Sequence, residues 1–190
     1  MSPLTKAVYI PAVVDTKRIF FDEKLRCQAR NAIGLSSDDK CFIYVGSIGA
    51  WHSIDALLSQ LRSTVTKIGA EDKNIHLVVL SKDSRFIEAL NGLPYRVIAR
   101  SVQPSEVNYY LNAADYGLLP GKKIISESDK NVFGVMISSK AQEYLSCGLK
   151  VISNEGIEYF QSIVILIAKS QSITILIINF PSMAKRIVKI

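Results

Sequence analysis

An open, doubly wound α/β sheet of parallel strands is the fold class this sequence predicts, and three observations predict it. Short apolar runs of strand length recur along the chain, among them CFIYV, NIHLVVL and GLLP. Segments of helix formers or helically spaced apolar residues separate those runs. Glycines such as Gly34, Gly46, Gly92 and Gly148 punctuate the joins. Strands that alternate with helices pair in parallel through right-handed crossovers, which lay helices on both sheet faces.

The elements follow in order. FDEKLRCQARNAIG (21–34) is rich in helix formers and stops at a glycine, and CFIYVG (41–46) reads as a buried strand. In WHSIDALLSQLRSTVTKIG the apolar positions Ile54, Leu57, Leu58, Leu61, Val65 and Ile68 form a helical stripe, and NIHLVVL (74–80) is the next strand. SRFIEALNG predicts a helix ending at Gly92, and YRVIAR a strand. Pro104 and Ser105 signal the start of a helix through PSEVNYYLNAA, which leads into the strand DYGLLP (115–120). KAQEYLSCG then reads as helix and KVIS as strand.

Composition narrows the classes. A chain of 190 residues is long enough for one domain that buries about 70% of its unfolded surface. Apolar residues at 48% and charged residues at 21%, with no low-complexity tract, exclude a disordered chain. Cys27, Cys41 and Cys147 are odd in number and form no CxxC pair, which argues against a disulfide framework or a zinc site and for a reducing cytosol. The N-terminus does not read as a secretory signal. The late apolar runs 163–168 and 173–178 are interrupted at Lys169 to Ser172, short of the roughly 20 residues of a membrane helix. A net charge of +6 points to an anionic partner. Nucleic acid is disfavoured, because lysines and arginines do not cluster with interleaved aromatics.

In a doubly wound sheet ligands bind beyond the carboxyl ends of the strands. Three loops therefore matter: Gly46 to His52, Pro120 to Ser139, and Ser153 to Tyr159. The first, GSIGAWHS, has Gly46 and Gly49 for close backbone approach and feeds a helix N-terminus, so it is either a diphosphate seat or a tight turn. It is neither GxGxxG nor GxxxxGK[ST]. His52 either donates to a phosphate or faces water; Trp51 and His76 read as packing and structural residues. Two histidines so far apart make no metal site. Lys140 and Glu143, three apart, are either a surface ion pair or a ribose and diphosphate site. Asp115 reads as a helix-to-strand connector, and Glu127 and Asp129 as part of a solvated loop; none is assigned to catalysis.

SSKAQEYLSCGLKVISNEGI (138–157) resembles the nucleotide-sugar segment of GT-B glycosyltransferases, especially the retaining family 4 group, with its pattern SSPxKxxEYLAxGxPVIxNxGIGD. VQPSEVNYYLNAADYGLLP, IYVGSIGAWHSIDALL and YIPAVVDTKRIFFDEKLRCQARNAIGL are similar to further stretches of that family, so the resemblance covers roughly residues 8 to 157. It implies a Rossmann-like donor-binding domain, one half of a GT-B architecture. It implies that Glu143 holds the donor ribose, that Lys140 lies near the diphosphate, and that Gly148 turns the helix into the next strand. Gly46, Ser47, Gly49, His52, Lys140, Glu143 and Gly156 are the expected substrate-binding residues, with catalytic residues unassigned. The sequence departs from the family at the arginine and lysine after the first strand, matched by Ser47 and His52. It departs again at Lys150 in place of proline, and at GIGD, which is Gly156, Ile157, Glu158 and Tyr159 here.

The expected organisation is an interdomain-type segment and helix over 1–35, a Rossmann-like domain over 36–160, and an isoleucine-rich tail over 161–190, read as a last strand and helix or as an unrelated end. The resemblance implies a hexosyltransferase half that takes a UDP- or GDP-sugar as substrate, without cofactor or metal, for a polysaccharide or lipid-linked acceptor. Such a half is expected to be inactive alone and to need an acceptor-domain protein, in the cytoplasm or at the inner membrane face through peripheral contact. The alternative is a non-catalytic nucleotide-binding or scaffold module, as a truncated remnant or as a subunit that needs a separate acceptor domain.

Overall fold

The structure is a computed structural model that describes residues 14–47, 53–120 and 138–153, together with the backbone of 163–169, 172–178 and 185–189. Five strands, β1 (Lys40–Val45), β2 (Ile75–Leu80), β3 (Arg96–Arg100), β4 (Tyr116–Leu119) and β5 (Lys150–Ser153), form one sheet in the order β3-β2-β1-β4-β5. Every neighbouring pair is parallel. Helices α1 (Glu23–Ala32), α2 (Ile54–Ile68), α3 (Arg85–Leu90), α4 (Val107–Ala113) and α5 (Ser139–Ser146) alternate with the strands. This is the doubly wound α/β fold expected from the alternation.

The inner strands β1, β2 and β4 are almost wholly apolar and buried because both sheet faces are covered there, while the edge strands β3 and β5 carry exposed Arg96, Arg100 and Lys150. Side chains of β1 alternate, so Cys41 and Ile43 join one core cluster with Ala29 of α1, Leu111 of α4 and Tyr144 of α5. Phe42 and Tyr44 join the other, with Leu57, Leu61 and Val65 of α2 and Phe86 and Leu90 of α3. Leu57 and Leu61 are fully buried, and each contributes about 2–3 kcal/mol relative to exposure. Phe42 stacks on Tyr116 across the β1–β4 pair at 4.7 Å between ring centroids.

Local chemistry sets the helix ends. The Asp22 carboxylate accepts from the Leu25 N–H at 2.7 Å and starts α1. Ser53 caps α2 in the same way through the Ala56 N–H at 3.1 Å, and α2 ends at Gly69, whose φ of 63° is left-handed. The helix expected from Pro104 begins as a 3-10 turn, Pro104–Glu106, before α4 takes over.

Residues 14–22 are stitched to α4 by two buried amides one helical turn apart. Asn108 Oδ1 accepts from the Phe20 N–H at 3.0 Å, and Asn112 Oδ1 from the Asp22 N–H at 2.8 Å. Asn112 Nδ2 donates back to the Phe20 carbonyl at 2.9 Å. In the tail, for which the sequence offered a last strand and helix or an unrelated end, the described residues form the strands β6 (Ile163–Lys169), β7 (Ser172–Ile178) and β8 (Lys185–Lys189), an antiparallel sheet of its own in that order. Apolar runs of this length carry no periodicity that separates strand from helix. Among the described residues no helix is long and apolar enough to cross a membrane.

Candidate functional site

In the order β3-β2-β1-β4-β5 the chain reverses direction of travel between β1 and β4. Ligands bind outside the carboxyl ends of the strands at such a switch point. A cleft of about 550 Å³ opens along this edge, lined by Gly46 and Ser47 after β1, Ser81 and Lys82 after β2, Ser101 after β3, and Glu143 of α5.

The backbone opening behind the cleft has a specific cause. β1 pairs with β4 only at Phe42 and Ile43, so the Val45 N–H lacks a strand partner on that side. The Tyr144 hydroxyl fills the gap, accepting from the Val45 N–H at 3.1 Å and donating to the Leu118 carbonyl at 3.5 Å. Its ring packs against Gly117, where any Cβ would fall 2.2 Å from Tyr144 Cδ2. The glycine is thus what lets α5 seat against the sheet at the switch point.

The start of the β1 loop is fixed in turn. Gly46 has a φ of 136° and donates its N–H to the Leu80 carbonyl at 2.9 Å. The Tyr44 hydroxyl donates to the Ser47 carbonyl at 2.9 Å. A Cβ on Gly46 would lie 2.6 Å from Lys140 Cε and 3.1 Å from its Nζ, so the ammonium crosses the glycine and sits at the mouth of the loop.

Lys140 and Glu143 are both half-buried, and no ion pair joins them among the described residues. The surface-pair reading of their spacing therefore does not describe them. Burial pushes the Glu143 carboxyl above its ordinary value, against the opposing charges of Lys140 and Arg18. Burial likewise pushes Lys140 down, against Glu143. A carboxylate and an ammonium held this way, partly desolvated and without an ion pair among the described residues, are disposed to take hydroxyl donors and an anion.

Of the site residues expected from the sequence, Gly46, Ser47, Lys140 and Glu143 come together at this edge. Gly49, His52 and Gly156 lie outside the described residues, as do Trp51, Glu127 and Asp129. Asp115 lies at the opposite, amino edge of the sheet, bound by Arg26 and Arg30, and is the connector expected. His76 is structural as well. It is buried at the same amino edge with Nε2 3.4 Å from an Asp39 carboxylate oxygen, and burial pushes its imidazole below the ordinary value. Among the described residues no histidine, cysteine and carboxylate cluster could hold a metal ion.

Sequence reasoning missed Arg18, Ser81, Lys82 and Ser101, which also line the cleft. Their one signal was position: Ser81, Lys82 and Ser101 stand directly past the carboxyl ends of β2 and β3.

No protein-family model matches this chain, and no curated protein matches it. The structure is similar to that of WaaG, a glycosyltransferase involved in lipopolysaccharide biosynthesis. The TM-score is 0.51 at 19% identity, over 74% of this chain and 35% of WaaG. It also matches the C-terminal domain of the glycosyl transferase group 1 family protein LpcC from Francisella tularensis, with a TM-score of 0.47 at 15% identity, over 73% of this chain and 68% of that one. The fold is that of a Rossmann-like domain of a GT-B glycosyltransferase. The chain spans about a third of WaaG, 35% of its length.

Proposed function

We propose that this chain is the nucleotide-sugar-binding half of a retaining glycosyltransferase that moves a hexose from a UDP- or GDP-sugar to a polysaccharide or lipid-linked acceptor. One observation carries the reading: Glu143 and Lys140 stand half-buried beside Gly46, with no ion pair among the described residues, at the switch point of a doubly wound sheet. Glu143 accepts the two ribose hydroxyls. Lys140 offsets the charge that develops on the leaving diphosphate as the glycosidic bond breaks. Donor and acceptor must be held in line at about 3–3.5 Å for transfer, and a separate acceptor-binding half supplies the other side of that geometry. Ser47, where the family pattern has arginine, favours a second reading as a binding module without turnover.

Glu143→Ala is expected to weaken binding of uridine or guanosine diphosphate by roughly 1–3 kcal/mol, through loss of charged hydrogen bonds. Calorimetric titration of both nucleotides against wild type and variant measures it. Equal binding by the two proteins would remove Glu143 from the site and the reading with it.

A further inference from the structure

The reading above leaves a charge deficit. A diphosphate brings at least two negative charges, yet the β1 loop presents Ser47 to the cleft, and Lys140 supplies a single positive charge with the Glu143 carboxyl near it. Two other cations line the same cleft, Arg18 and Lys82. Both are exposed, and neither side chain has a hydrogen-bond or ion-pair partner among the described residues. Some cations elsewhere in the fold are engaged, Arg26 and Arg30 by Asp115, Lys73 by Glu71, and Arg85 by Asp83; what distinguishes Arg18 and Lys82 is their place on the cleft.

The backbones that carry these two cations are fixed. Arg18 sits in a turn in which the Asp15 carbonyl accepts from the Arg18 and Ile19 N–H groups at 3.0 and 2.9 Å. Asp15 Oδ1 takes the Lys17 N–H at 2.9 Å, and the Asn108 and Asn112 amides anchor the following residues to α4. Ser81 continues the β2–β3 ladder through its N–H to the Arg100 carbonyl at 2.9 Å. Lys82 is then held in a tight turn by the Asp83 N–H on Ser81 Oγ at 3.1 Å. A smaller cavity of about 190 Å³ shares Ser81, Lys82 and Ser101 with the cleft, so Lys82 stands where the two meet.

The chemistry of the donor ties these positions to Glu143. The first phosphate of a nucleoside diphosphate is attached to the ribose, so its cations must lie next to the ribose ligand. Arg18 is near enough to Glu143 for its charge to act on that carboxyl. Arg18, Lys82 and Lys140 together outweigh the cleft carboxylates Asp15 and Glu143 by one positive charge. We propose that Arg18 and Lys82 bind the diphosphate of the donor, supplying from the Asp15–Ile19 turn and the end of β2 the positive charge that the loop after β1 lacks. This rests on the nucleotide-sugar reading and deepens it.

The test is calorimetric titration of the full chain with UDP, GDP, uridine, guanosine and inorganic pyrophosphate, at low and at high salt. Wild type is compared with the double variant Arg18→Ala/Lys82→Ala and with Glu143→Ala. The double variant is expected to bind UDP or GDP about tenfold more weakly, because two exposed positive charges are removed from the diphosphate together. Its affinity for uridine and guanosine should be unchanged, its pyrophosphate binding lost, and its salt dependence flattened. Glu143→Ala should instead weaken nucleosides and nucleotides alike. Equal binding of UDP and GDP by wild type and double variant overturns the proposal and leaves the Glu143 reading standing. Pyrophosphate binding that needs Arg18 and Lys82, with no nucleoside bound, upholds the anion site and overturns the nucleotide reading. Wild type that binds none of the five probes overturns both.

Discussion

Asp115→Ala is expected to lower the stability of the fold by about 3–5 kcal/mol, the cost of breaking a largely buried ion-pair network from one side. Asp115 Oδ1 accepts from Arg26 at 2.6 Å, and Oδ2 accepts from Arg30 at 3.3 Å and from the Cys41 N–H at 2.8 Å. Its backbone joins the same structure: its N–H donates to the Cys41 carbonyl at 2.8 Å, and its carbonyl accepts from the Lys150 N–H at 3.0 Å. One residue therefore ties β1, β4 and β5 to α1. Arg30 is buried and also donates to the Ala113, Ser36 and Asp39 carbonyls, so the variant strands guanidinium charge that carbonyls alone must satisfy. Since domains are stable by only about 5–15 kcal/mol, the loss is a large fraction of the total. Urea unfolding should show a lower midpoint at an unchanged slope. A change below about 1 kcal/mol would mean that the network is incidental.

Gly117→Ala should be at least as damaging, through steric conflict rather than charge. The new methyl would fall 2.2 Å from Tyr144 Cδ2, 2.5 Å from Cγ and 2.8 Å from Cε2, and Tyr144 is fully buried. Moving the ring breaks the bridge from the Val45 N–H to the Leu118 carbonyl. Overpacking and the broken hydrogen bonds together should cost roughly 3 kcal/mol or more. Because α5 carries Lys140 and Glu143, any folded fraction should also bind nucleotide poorly. Tyr144→Phe separates the two effects, since it keeps the ring and deletes only the hydroxyl, at about 1–2 kcal/mol. A Gly117→Ala chain with the melting temperature of the wild type would show that Tyr144 does not hold the switch point.

The inner parallel strands were legible because helices on both faces turn them into nearly continuous apolar runs, as in CFIYV and HLVVL, and the edge strands β3 and β5 were legible from their shorter apolar centres between helices. Helix α2 was legible from its stripe, and the structure adds Ser53 and Gly69 as its caps. Lys140 and Glu143 were visible through a resemblance, while their spacing alone fitted a surface pair equally well. What stayed hidden depends on partners far along the chain. Asn108 and Asn112 look like indifferent helix residues until their amides meet Phe20 and Asp22, roughly ninety positions earlier. Arg18 and Lys82 belong to no motif, and only the parallel topology brings the Asp15–Ile19 turn and the end of β2 to one cleft.

The central claim is that a nucleoside diphosphate occupies the carboxyl edge of this sheet, between β1 and α5. Its most direct measurement is amide chemical-shift mapping on the isotope-labelled full chain as UDP or GDP is added. The expected result is a contiguous set of shifts at Gly46, Ser47, Ser81, Ser101 and Glu143, with the amino edge around Asp39, His76 and Asp115 unmoved. Shifts confined to that amino edge, or none at millimolar nucleotide, would contradict it.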